Sequence, residues 1–362
     1  MNTLNKPTVL KAKAKAKTIT TKDPAKTIAF PQSFLTNFSQ RMAPPQGESP
    51  LAFILTENTL RGQDLIGIEQ LSKSQIQLII EVALALKANK FDETQTKFAK
   101  GQTLALLFEK PSLRTRFTFE AGMTQLGGHA VNMETKLSER EPVFDVAKNL
   151  DRWVDGIMAR TFSHKTIIEL AENASIPVIN GLSDREHPCQ ALADFMTMLE
   201  HKGSMDKIKI VFVGDGNNVA QSLMLLAAKV GADFTLACPP GYMPETDIIK
   251  TCLNEAEITG SKIAISHEPM GAVYDADVVY TDTWVSMGQE QELRKRELAF
   301  AKFQVDMTLL KLAKPDAIVM HCLPAHRGQE VTCEVLDGPQ SVIYDQAENR
   351  LHAQKAVISL LM

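Results

Sequence analysis

The chain has 362 residues, 44% apolar and 23% charged, which leaves room for two ordinary domains, each with its own core. Its net charge of −4 gives no reason to expect nucleic acid or an anionic membrane as partner, and no apolar run reaches the roughly 18 residues of a membrane span. The five cysteines are scattered without a C-x-x-C pair, so neither a zinc site nor a disulfide framework is indicated and a reducing compartment is the simpler reading.

The first 50 residues hold seven lysines and one arginine against Asp23 and Glu48. KAKAKAK, the Thr-rich patch and APPQGESP read as a basic flexible extension over residues 1–57. Scarce acids and frequent hydroxyls suit an organelle-targeting peptide. The excess of Lys over Arg and the weak amphipathicity suit instead a bacterial extension on a cytoplasmic protein. No apolar segment follows the basic start, so a secretory signal is not indicated.

From residue 58 strands and helices alternate. TLALLF from 103, DGIMAR from 155 and IPVIN from 176 read as buried parallel strands. KIVFVGD from 209, DFTLAC from 233, DVVYTD from 277 and AIVMHC from 317 form a second series. Helical spacing appears between them, around Gln190–Glu200 and Gln221–Lys229. The expected fold class is α/β, with two domains, each a parallel sheet flanked by helices. The domains are expected over residues 58–203 and 204–346, divided at HKGSMDK, with a last helix over 347–362 returning to the first domain.

Ligands of open parallel sheets bind beyond the carboxyl ends of the strands. PSLRTR follows the first strand, where helix-start N–H groups favour an anion. Ser112 and Thr115 add hydroxyl donors, and Arg114 and Arg116 add planar forks suited to phosphate. Two arginines on a helix otherwise form surface ion pairs worth about 0–1 kcal/mol each. Arg160 ends the second strand. His187, Pro188 and Gln190 stand where a helix begins after the third, and Pro188 suits its first turn.

PSLRTR, MARTFSH, NGLSDREHPCQALAD, VGDGNNVAQS, DTWVSMGQE, MHCLPAHRG and AENRLHAQKA occur in the order found in ornithine carbamoyltransferases, which residues 58–362 resemble. S-x-R-T-R and H-P-x-Q belong to the wider carbamoyltransferase family; D-x-x-x-S-M-G with H-C-L-P is more specific to the ornithine enzymes. The resemblance implies that Ser112, Leu113, Arg114 and Thr115 cradle carbamoyl phosphate, joined by Arg160, by the segment His187, Pro188, Cys189 and Gln190, and by Arg350. Cys322 and Leu323 would lie near the attacking amine. Arg160, His187 and Cys322 would be catalytic, although Cys322 also suits a small buried residue and the Cys189 thiol reads as structural. Asn218, Asp282, Ser286 and Met287 would hold the amino-acid end of L-ornithine. Lys136 stands where these enzymes commonly carry a Gln contributed to a neighbouring subunit; a solvated loop lysine is the other reading. No metal or other cofactor is implied, and a homotrimer or a multiple of it is.

Three rival readings follow. VGDGNN resembles a dinucleotide turn and would suit an NAD-dependent oxidoreductase, but Val219 replaces the third glycine and the next strand ends in Cys238-Pro239-Pro240, with no acid to hold a ribose. A non-catalytic binding paralogue would need damage to the paired site motifs, which are intact. A carbamoyltransferase acting on putrescine or N-acetylornithine is the nearer rival, and Asp282 with Ser286-Met287-Gly288 favours a free amino-acid head group.

Overall fold

The computed structural model describes residues 51, 54–55, 58–89, 93–286, 288 and 290–362. Most of the basic extension, and with it any targeting role, lies outside these residues. Ile54 and Leu55 are buried in the core, so the packed body begins a few residues before 58.

Strands β1 (Thr103–Phe108), β2 (His129–Glu134), β3 (Gly156–Arg160) and β4 (Val178–Leu182) form one sheet in the order β2-β1-β3-β4. Strands β5 (Lys209–Val213), β6 (Asp233–Ala237), β7 (Ile263–Ser266), β8 (Val278–Thr281) and β9 (Ile318–His321) form a second, ordered β7-β6-β5-β8-β9. All neighbouring pairs are parallel. The seven strands with continuous apolar runs are those the sequence marks. β2 and β7 carry no such run because each is only partly buried, whereas the opposite edge strands, β4 and β9, are covered.

The main helices are α1 (Lys73–Ala88), α2 (Leu113–Gln125), α3 (Val143–Leu150), α4 (His164–Asn173), α5 (Pro188–Lys202), α6 (Asn218–Val230), α7 (Thr246–Thr259), α8 (Leu293–Phe300) and α9 (Ile343–Leu361). α1 opens with a capping box, in which Ser72 Oγ accepts from Gln75 N and the Gln75 side chain accepts from Ser72 N. α5 opens on Pro188, whose missing N–H is not needed there, and stops at Gly203, whose φ of 74° suits glycine.

α5 and α6 are buried over nearly their whole length and carry one apolar core from sheet to sheet. α9 begins at Ile343, earlier than expected, because its first turns pack near β9. It then runs along α1, α2 and α5 of the first sheet. Val357, Ile358, Leu360 and Leu361 are buried there, each worth about 1.5–3 kcal/mol for a large side chain.

In both sheets the strand order reverses next to the first strand, between β1 and β3 and between β5 and β8. At such a switch point adjacent connections leave on opposite faces and open a crevice beyond the strand ends. The PSLRT segment and Arg160 flank the first crevice; Asn218 and Asp282 flank the second.

Candidate active site

Ser112 caps α2 with extended backbone but makes no side-chain cap bond, so its hydroxyl is not spent on the helix. Leu113 begins the helix with an exposed side chain, and Thr115 is buried one turn in. The β3–β4 register shifts at Ala159–Arg160, where β4 carries the extra residue Gly181, and Arg160 ends β3. Arg160 is 6% exposed and its Nε has no hydrogen-bond partner. Arg350, on α9, joins three elements: one guanidinium nitrogen donates to Gln190 Oε1 and another to Thr115 Oγ1 at 3.1 Å. Gln190 in turn donates to Asp194, which also receives Gln346 and Tyr280. Thr115, Gln190 and Arg350 are thus tied together across α2, α5 and α9.

The second sheet supplies the opposite wall. Asp282 follows β8 and accepts from Asn217 Nδ2 at 2.9 Å, from Thr283 N at 2.8 Å and from Cys322 Sγ at 3.0 Å. Cys322 follows β9. Leu323 has a φ of 59°, a costly conformation for a branched residue, and its N–H donates to His321 Nδ1. Asp282, His321 and Cys322 offer ligand atoms within 4.8 Å of one another. His321 is already engaged at both nitrogens, the second meeting Glu330 at 3.2 Å, so the trio reads as a hydrogen-bonded wall.

Charge is strongly unbalanced on the first wall. Among the described residues no carboxylate forms an ion pair with Arg114, Arg160 or Arg350. Burial lowers the pKa of all three, and added repulsion from Arg350 and Arg114 brings Arg160 from 12.5 down to about 10. Burial, then the same three cations, drives His187 well below the usual imidazole value, so the ring is neutral. Its Nδ1 is buried without a partner. Burial, then Asp282, pushes the Cys322 thiol well above its usual value, so it acts here as a protonated donor to Asp282. Three uncompensated cations and a neutral imidazole suit a multiply charged anion carrying a polar carbonyl.

The aspartate/ornithine carbamoyltransferase carbamoyl-P binding domain matches residues 63–200, and the Asp/Orn binding domain of the same family matches residues 206–361. The chain belongs to the aspartate/ornithine carbamoyltransferase family. It is 50% identical over 307 residues to the anabolic ornithine carbamoyltransferase of Pyrococcus furiosus, covering 84% of this chain and 98% of that one. The solved ornithine carbamoyltransferase from Pyrococcus furiosus superposes with a TM-score of 0.82 at 50% identity, over 84% of this chain and 98% of that one. An N-acetyl-L-ornithine transcarbamylase structure superposes at 0.75 with 30% identity, over 83% and 99%.

Within this carbamoyltransferase the residues expected at the site do not all converge. Arg116 turns outward and pairs with Glu120 at 3.0 Å and Glu134 at 2.8 Å, the surface alternative to a phosphate fork. Lys136 is exposed and pairs with Glu139 at 2.8 Å, outside the buried cluster of its own chain. The Cys189 thiol faces the Asn180 carbonyl and burial pushes it up to about 12, which leaves its backbone as the part available to a ligand. Pro188 is buried at the first turn of α5. Asn218 donates to the Ser183 carbonyl at 2.6 Å, tying α6 to the loop before His187. Ser286 is half-buried, and Met287 lies outside the described residues.

Asn217, Lys110 and Asp194 were not singled out in the sequence. Asn217 caps α6 with its Oδ1 and reaches Asp282 with its Nδ2. Lys110 is 8% exposed; burial and then Arg160 lower its pKa. Asn217 and Lys110 sit at strand ends, in GDGNN and EKPS, where the strand-end rule that marks their neighbours applies too, whereas Asp194 lies inside α5 and carries no such signal.

Proposed function

We propose that the chain transfers the carbamoyl group of carbamoyl phosphate to the δ-amine of L-ornithine, giving L-citrulline and phosphate. The observation that carries this reading is the convergence of Arg114, Arg160 and Arg350, with no carboxylate ion pair among the described residues, beside the Asp282–Cys322 wall. The phosphate of carbamoyl phosphate takes Arg114, Arg350, the Ser112 hydroxyl and the N–H groups at the start of α2, including those of Leu113 and Thr115. The neutral δ-amine attacks the carbonyl carbon, and negative charge develops on the carbonyl oxygen. Arg160, His187 and Thr115 donate to that oxygen, held beforehand by burial and by the Arg350–Gln190 link. Phosphate leaves toward the arginines, and the proton of the new carbamoyl nitrogen departs with it or to solvent. Alignment of two bound substrates supplies much of the remaining gain.

The α-ammonium of ornithine meets Asp282, and its carboxylate meets Asn218, with Ser286 closing the amino-acid end. Cys322 enters this scheme as an orienting thiol between Asp282 and the amine, with Leu323 beside it. A free α-ammonium is favoured over an N-acetyl group because an amide brings no charge to a buried carboxylate. Incubation of the full chain with both substrates tests the reading: citrulline and phosphate are expected in equal amounts. Phosphate release without citrulline refutes it.

A homotrimer, or a multiple of it, is proposed with the family. It is supported by exposed Leu113, Phe117, Val131, Met133 and Trp153 on α2, β2 and the turn after α3. In that assembly Lys136 would reach a neighbouring subunit's phosphate as a point charge. A cytoplasmic location in arginine biosynthesis is proposed; five free cysteines and the anabolic relative support it, with an organelle matrix as the alternative if the basic extension ahead of the packed body is a transit peptide.

A further inference from the structure

The imidazole of His187 makes no hydrogen bond to any described residue, yet the reaction as proposed needs it held at one place. Its backbone is held from the other domain. His187 N donates to Ser222 Oγ at 2.9 Å, and Ser222 Oγ donates to Glu186 Oε2 at 2.9 Å. The same carboxylate oxygen accepts from Ile68 N at 2.9 Å, ahead of α1. All three side chains are buried: Glu186 is 2% exposed, Ser222 0% and His187 4%. A serine hydroxyl has a single proton, so giving it to Glu186 leaves a lone pair aimed at His187 N.

We propose that Glu186 and Ser222 are positioning residues for His187, fixing the start of α5 against α6 so that the imidazole faces the reacting carbonyl. This rests on the role given to His187 above. Two neighbours act in the same direction. Asn218 donates to Ser183 O at 2.6 Å and Gln221 donates to Arg185 O at 2.7 Å. Asn218, Gln221 and Ser222 lie three and four residues apart and so share one face of α6, which reads the loop 183–187 through its backbone. The carboxyl occupies space left by a missing side chain: a Cβ on Gly67 would stand 2.1 Å from Glu186 Oε1. A structural filler would tolerate an apolar residue; an acceptor flanked by two donors does not. The other charged or titratable groups around Glu186 are Arg185 and Glu69, with Cys252 on α7.

The test compares steady-state kinetics of the full chain with Ser222→Ala, Glu186→Ala, Glu186→Gln and Gly67→Ala. Loss of one hydrogen bond of the relay is expected to lower kcat about tenfold while KM for carbamoyl phosphate stays within about twofold. Glu186→Gln keeps an acceptor and is expected to recover most of the kcat lost in Glu186→Ala. Gly67→Ala, which crowds the carboxyl from the far side, is expected to follow Ser222→Ala and keeps the proposal testable if that variant does not fold. Unchanged kcat in Ser222→Ala and Gly67→Ala, with only thermal stability reduced, overturns the proposal, as does a Glu186→Gln variant no better than Glu186→Ala. His187→Ala is the control. If it retains full kcat, the role given to His187 fails; if it is inactive while Ser222→Ala is not, the relay alone fails.

Discussion

Replacing Arg160 by methionine is expected to stabilise the unliganded protein while removing its response to carbamoyl phosphate. Arg160 is charged in a buried site beside two other guanidiniums, and its folded pKa is about 10 against 12.5 when free. A cation whose folded pKa is lowered is penalised at every pH below that value; the penalty fades only as pH rises above about 10. At neutral pH it is therefore fully present and amounts to roughly 3 kcal/mol. Methionine fills much of the same space without charge, and imperfect packing returns about 1–2 kcal/mol. The net is a gain of about 1–2 kcal/mol for the unliganded variant. Ligand acts in the opposite sense: at a hundredfold excess over Kd it adds about 2.7 kcal/mol to a protein that binds it. Urea unfolding at matched protein concentration, with and without carbamoyl phosphate, reads both effects. The parent gains with ligand and the variant does not. A variant less stable than the parent without ligand, and still stabilised by ligand, would show that Arg160 is a structural cation outside the anion site.

Arg114→Ala is expected to abolish carbamoyl phosphate binding in calorimetry with the fold intact by circular dichroism; undiminished binding removes Arg114 from the phosphate site. Asp194 is raised from 3.8 to about 7 by burial, so between these values the folded chain holds a proton the unfolded chain has lost, and stability falls as pH rises through that window. Asp194→Asn removes that slope, and its stability relative to the parent is expected to improve from about pH 4 to about pH 7 and then level off; parallel curves in urea unfolding would contradict this. Iodoacetamide followed by mass spectrometry is expected to label exposed Cys333 well before Cys322, whose protonated thiol is a poor nucleophile. Rapid labelling of Cys322 would restore the thiolate as a base.

Much of this architecture is legible in the chain because buried parallel strands must be apolar on both faces. TLALLF and KIVFV therefore announce themselves, whereas β2 and β7, only partly buried, do not need to. The strand-end rule located Arg114, Arg160 and His187. It did not separate Arg114 from Arg116, which lie two apart and so face nearly opposite sides of α2; helical geometry assigns one to the crevice and the other to Glu120 and Glu134. Glu186 and Ser222 were illegible for a different reason. Their pairing joins positions far apart in the chain and depends on the space at Gly67, which no local pattern encodes.

The measurement that reaches the central claim most directly is kcat/KM for carbamoylation of L-ornithine, putrescine, lysine and N-acetyl-L-ornithine by the full chain with carbamoyl phosphate saturating. Asp282 as the seat of an α-ammonium predicts a strong preference for ornithine over putrescine and N-acetylornithine, lost in Asp282→Asn. Carbamoylation of putrescine or N-acetyl-L-ornithine as efficient as that of ornithine would contradict it.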